Sequence, residues 1–134
     1  MSPLIINRKD KALLKVLFDK DKNIFIINGN SLPENAVVFF TPIHEWLTEY
    51  SMQANNRNIL HIYLNCYNTT SSKHLLRIFL SFKNIMEKEK TVLVKWYGAE
   101  EADYMEEAEV YQSLANIPFE FIEEVPDFLQ YFSS

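Results

Sequence analysis

A chain of 134 residues, 48% hydrophobic and 14% aromatic, has the length of one domain and the material for a core. Its 13 Lys and Arg stand against 18 Asp and Glu, for a formal charge of −5 with no basic block, which argues against non-specific binding to nucleic acid or anionic membranes. There are only two glycines, Gly29 and Gly98, so no Gly-rich phosphate loop or dinucleotide fingerprint can be written. The lone cysteine, Cys66, rules out an intramolecular disulfide and a thiolate zinc cluster. His44, His61 and His74 show no metal-ligand spacing, and no metal or cofactor is expected. The first residues carry no signal-peptide pattern, and no apolar run approaches the ~20 residues of a membrane span. A soluble, cytoplasmic protein is expected.

Along the chain, residues 12–18 and 24–28 are strand-like and flank the charged turn Asp19-Lys20-Asp21-Lys22, which predicts an N-terminal β-hairpin. Ser31 and Glu34 read as a capping box, with Pro33 acceptable in a first helical turn. A first helix is predicted over 33–53 from Ala36, Phe40, Ile43, Leu47 and Tyr50, with Phe39 and Trp46 widening the stripe. Pro42 lies inside that pattern and is expected to bend or split the helix near residues 40–41.

Residues 59–67 alternate cleanly. Leu60, Ile62, Leu64 and Cys66 face one way, and His61, Tyr63 and Asn65 the other. The hydroxyl-rich run Asn68–Ser72 opens a second helix to about residue 89, with Leu75, Phe79, Phe82 and Met86 inward. A strand follows over 91–97. A third helix over 100–116 turns Met105, Ala108, Tyr111 and Ala115 inward, a strand covers 119–123, and a short helix spans about 127–132. Helices alternating with strands give one α/β domain over residues 1–134: a mixed, mostly parallel sheet of about five strands with about three main helices and right-handed crossovers.

Three groups of residues invite functional readings. The carboxylates Glu100, Glu101, Asp103, Glu106, Glu107 and Glu109 read as a solvated or partner-facing surface rather than an acid–base pair, because nothing around them signals burial. Cys66 shares an apolar strand face and reads as a core thiol rather than a nucleophile served by His61 or His74. The run Asn68-Thr69-Thr70-Ser71-Ser72-Lys73 sits where a parallel strand enters a helix, a place where α/β folds put functional groups. Unpaired N–H groups and the helix dipole favour an anion there. A phosphoryl group on a hydroxyl would add about −1.5 to −2 charge, with Lys73 close to the helix start. Helix capping alone also accounts for these residues.

Three blocks together resemble the SiaC-type regulatory phosphoproteins, a bacterial family. The first is Gly29-x-Ser31-x-Pro33-Glu34-Asn35-Ala36 with Phe40-x-Pro42 and Trp46-Leu47-x-x-Tyr50. The second and most specific is Tyr67-Asn68-Thr69-Thr70-Ser71-Ser72-Lys73, where the family reads aromatic-Asn-Thr-Ser-Ser-Ser-Lys. The third is Trp96-Tyr97 followed by Asp103-x-Met105-x-Glu107-Ala108. The resemblance, over residues 12–123, implies a fold like that of anti-anti-sigma (STAS-like) domains and a phosphoswitch without catalytic residues. It implies Thr69 as phosphoacceptor, with Thr70 and Ser71 as alternatives. It further implies a dedicated kinase, a PP2C-like phosphatase and, as regulated partner, a diguanylate cyclase of cyclic di-GMP and biofilm signalling. An anti-anti-sigma protein that binds an anti-sigma kinase is the alternative reading. Two positions depart from the pattern: Thr70 stands where serine is usual, and Glu109 where glycine is common.

Overall fold

A computed structural model describes residues 1–7, 14–31, 33, 35–67, 69–98 and 102–132, without the side chains of residues 31, 66, 67 and 102–104. The elements are β1 (Leu4–Ile6), β2 (Lys15–Asp19), β3 (Ile24–Ser31), α1 (Ala36–Ser51), β4 (Arg57–Tyr67), α2 (Thr69–Met86), β5 (Thr91–Tyr97), α3 (Ala102–Ala115), β6 (Phe119–Ile122) and a short 3-10 helix, Phe128–Phe132. They form one α/β domain on a six-stranded mixed sheet whose spatial order is the chain order. β1, β2 and β3 pair antiparallel, and β3 to β6 pair parallel.

This order dictates the layering. Each crossover from β3 to β6 steps to the next strand in the same direction, so right-handed connections place all three helices on one face. The main core lies there. Val16, Phe18, Phe25, Ile27, Leu60, Ile62, Val94 and Trp96 point from the sheet into Phe40, Ile43 and Leu47 of α1, Leu75, Phe79 and Phe82 of α2, and Ala108 and Tyr111 of α3. Phe25 and Phe82 meet edge to face at 5.9 Å, and Phe79 packs on Trp96 and Tyr111. The opposite face receives no helix of the crossovers. Its apolar residues Leu17, Ile26 and Tyr97 are covered by Phe128 of the terminal 3-10 helix.

Several expectations are corrected. A sixth strand, β1, adds to the hairpin of β2 and β3. The first helix starts at Ala36, not residue 33, and Asn35 caps it by accepting the Val38 N–H at 3.2 Å. Ser31 instead ends β3, where parallel pairing with Tyr67 holds its backbone extended, and Glu34 lies outside the described residues. α1 runs unbroken through Pro42. The ring is exposed and removes one helical N–H, while Phe39, Phe40, Ile43, Trp46 and Leu47 bury the helix on both sides of it. α2 ends at Met86, earlier than residue 89, because Glu89 takes a left-handed φ of 65° and cannot continue the helix. Ile78 and Ile85 are buried on α2, and Met86 is half-buried.

Glycine poverty shows in the turns. Left-handed positions that glycine usually fills are taken by Asn23 (φ 56°), Glu89 and Asn116 (φ 54°). Asn23 closes the β2–β3 turn by donating to the Lys20 carbonyl at 3.2 Å.

Candidate functional site

The strand-to-helix junction is built by β4 and α2. Leu60, Ile62 and Leu64 anchor β4 in the core, and Leu75, Ile78 and Phe79 anchor α2, so the connection between them is pinned at both ends. Thr69 is the first residue of α2. Thr69 and Thr70 are exposed, Ser72 is half-buried, and Ser71 is fully buried at 0% exposure. The alternative acceptor Ser71 is therefore disfavoured: a kinase would have to unpack the first turn to reach it. Lys73 is exposed beside these residues, and Asn68 lies outside the described residues.

Thr69 borders an open cleft of about 280 Å³ that it lines with Ser72 of α2 and Glu107, Val110 and Tyr111 of α3. Burial pushes the Tyr111 phenol upward, a hydrogen bond with Ser72 offsets part of this, and Glu107 adds to the rise. The phenol therefore stays neutral and serves as a polar floor. Val110 and Leu114 are exposed on α3, so the cleft continues onto an apolar strip edged by acids. Of the expected acidic cluster, Glu106, Glu107 and Glu109 are exposed; Glu100 and Glu101, and the side chain of Asp103, lie outside the described residues. Glu107 alone among the described acids lines the cleft.

The histidines are engaged elsewhere. His61 Nδ1 lies 2.8 Å from the Tyr97 hydroxyl on the far face, where burial and Lys95 hold the imidazole neutral. His44 Nε2 meets His74 Nδ1 at 2.9 Å between α1 and α2. Thirty residues separate these two in sequence, and only the docking of α1 on α2 brings them together, so no spacing rule could have found the pair. Among the described residues, no three His, Cys, Asp or Glu are grouped to hold a metal ion. The side chain of Cys66 lies outside the described residues. No described helix is long and apolar enough to cross a membrane.

Three helices on one face of the sheet, with exposed hydroxyls where β4 leads into α2, define a small one-sided α/β domain with a polar strand-to-helix junction. The chain belongs to the SiaC family of regulatory phosphoproteins, whose family model matches residues 8–124. No curated protein matches it in sequence. Apo-SiaC from Pseudomonas aeruginosa shares the fold with a TM-score of 0.81 at 21% identity, over 92% of this chain and 100% of that one. The same holds for a chain in the crystal structure of the diguanylate cyclase SiaD in complex with its activator SiaC from Pseudomonas aeruginosa. There the TM-score is 0.81 at 20% identity, over 90% of this chain and 99% of that one.

Proposed function

We propose that this chain is a non-enzymatic signalling protein, cytoplasmic in location, switched by phosphorylation of Thr69. A cognate kinase adds the phosphoryl group, a PP2C-like phosphatase removes it, and the unmodified form binds and regulates a partner enzyme. A diguanylate cyclase is the partner of choice, because SiaC, the fold relative from Pseudomonas aeruginosa, is described in complex with the cyclase SiaD as its activator. The output would then be cyclic di-GMP and biofilm control.

One observation carries this reading. Thr69 is exposed at the rim of a cleft whose other wall holds Val110 and Glu107. A partner that packs an apolar side chain against Val110 would dock beside a neutral hydroxyl. A phosphoryl dianion in the same place brings a desolvation cost and repulsion from Glu107. A penalty of about 2.8 kcal/mol weakens binding about a hundredfold. Thr70, also exposed, is the remaining alternative acceptor. The non-enzymatic reading follows from membership in a family of regulatory phosphoproteins.

The test is incubation with any protein kinase found encoded beside the gene, followed by intact mass and mapping of the modified residue, and then partner capture. Modification at Thr69 with loss of the captured cyclase is the expected result. Modification at Thr70 alone would move the site and leave the switch. Equal binding of the cyclase by Thr69→Ala and Thr69→Asp proteins would end the proposal.

A further inference from the structure

The sheet face away from the helices holds a second, separate cavity of about 340 Å³ where β3 and β4 end, beneath the chain from Val125 to Leu129. Strand register builds its floor. Lys15 of β2 is paired with Asn28 of β3, and Asn28 with Tyr63 of β4. Side chains of paired residues leave a sheet on the same face, so an ammonium, a carboxamide and a phenol stand in one row. Pro126, Phe128 and Leu129 wall the cavity with apolar surface.

Two of these floor groups turn donors into the cavity. Asn28 is 9% exposed, and what remains open of it lines the cavity, so its carboxamide can serve a group bound there. Lys15 is half-buried, without an ion pair among the described residues. Both groups present N–H donors to one volume. Among the described residues of the lining the only acid is Asp127, exposed at the rim and accepting the Leu129 N–H at 3.1 Å.

The charge count selects the ligand. One cation with one amide suits a single negative charge, whereas a phosphate dianion would find no second cation among the described lining residues and would face Asp127. The apolar wall requires a body behind that charge, and the volume lies at the lower end of small-molecule sites. We infer that this cavity binds a small organic monocarboxylate with an aromatic or aliphatic body. Its carboxylate accepts from Lys15 Nζ and the Asn28 amide, and its body lies between Tyr63 and Phe128. The inference stands independently of Thr69 and of any protein partner, since the phosphosite cleft shares no residue with this cavity.

The test is a nitrogen-15 NMR titration of the full chain with sodium benzoate and sodium hexanoate, with benzamide and inorganic phosphate as parallel probes at matched ionic strength. At least one carboxylate should saturate in the millimolar range, moving the Asn28 side-chain amide and the Phe128 backbone amide. Benzamide should bind about tenfold more weakly, and Lys15→Met should weaken the carboxylate by a similar factor. Thr69→Asp should leave it unchanged. Asn28→Leu should abolish the response, and its amide spectrum reports whether the fold is kept. If neither carboxylate saturates, if benzamide matches benzoate, or if Lys15→Met has no effect, the inference is wrong. Saturable phosphate binding at the same amides would overturn the choice of a monocarboxylate.

Discussion

His44 and His74 share one hydrogen bond between α1 and α2, Nε2 to Nδ1 at 2.9 Å, with Phe40 stacked on the His74 ring at 4.8 Å. One imidazole must donate and the other accept, so the arrangement suits two neutral rings. Burial lowers His44 to about 4, with Arg77 and His74 adding to the effect; burial and Arg77 lower His74 as well. His44 Nδ1 is buried and unpartnered among the described residues, so a proton there would find no acceptor.

Stability should consequently fall with acidification. Both folded values lie below the unfolded 6.5, so the unfolded chain binds more protons in the interval between them. The pair's contribution is fully present above pH 6.5 and is lost as pH falls from there towards 4. Urea midpoints should drop by the equivalent of about 1–2 kcal/mol between about pH 7 and pH 5. His44→Leu should flatten that slope, and an unchanged slope in this variant would assign the pH dependence to other groups.

Tyr50 and Asn58 close a buried polar network at the opposite end of the sheet. The Tyr50 hydroxyl donates to Asn58 Oδ1 and accepts the Asn55 N–H at 3.0 Å, while Asn58 Nδ2 donates to the Asn55 and Thr91 carbonyls at 2.9 and 3.2 Å. Tyr50→Phe removes one oxygen and leaves a buried acceptor and an N–H donor unpaired. The expected cost is about 1–3 kcal/mol in chemical denaturation. A variant as stable as the parent would mean that water replaces the hydroxyl.

The same two regions show what the sequence makes legible. Alternation along residues 59–67 places Leu60, Ile62 and Leu64 on the core side and His61 and Tyr63 on the other, because a strand's period is a local property. The end of β3 was not legible. Ser31 and Glu34 satisfy a capping rule, yet Asn35 satisfies another a few residues on, and pairing with β4 draws Ser31 into the sheet. β1 is three ordinary apolar residues whose strand character comes from Phe18 and Val16 across the register. The exposure of Thr69 and Thr70 follows from the helical start, but the burial of Ser71 depends on packing that no local pattern reveals. The cavity over Lys15 and Asn28 exists because the chain after β6 returns across the free face, a purely tertiary outcome.

Glu89 offers a test of the glycine shortage. Its φ of 65° costs a residue with a Cβ about 1 kcal/mol, and its N–H bonds the Met86 carbonyl at 3.2 Å as α2 ends. The side chain is exposed and its removal opens no core space. Glu89→Gly should stabilise the protein by about 0.5 kcal/mol, the relief of strain exceeding the entropy glycine adds to the unfolded chain. Glu89→Val should destabilise it, since a β-branched residue tolerates this conformation least. A rise in thermal midpoint for glycine and a fall for valine is the expected pattern.

Glu107 and Thr69 line one cleft from two helices, and this gives the switch a measurable electrostatic component. Thr69→Glu should weaken a partner that docks on the cleft, by up to about a hundredfold if the carboxylate imitates phosphate well. The repulsion between the two carboxylates is already present in the free protein, where it lowers stability, and it opposes the partner only as far as docking strips solvent from the pair. Glu107→Gln should therefore stabilise Thr69→Glu more than it stabilises the parent, with a coupling of about 0.5–1 kcal/mol at low salt. Salt should erase the coupling, because both groups face solvent. A coupling of zero at low salt would mean that Glu107 takes no part in sensing the charge at Thr69. The switch would then reside wholly in the partner's own surface.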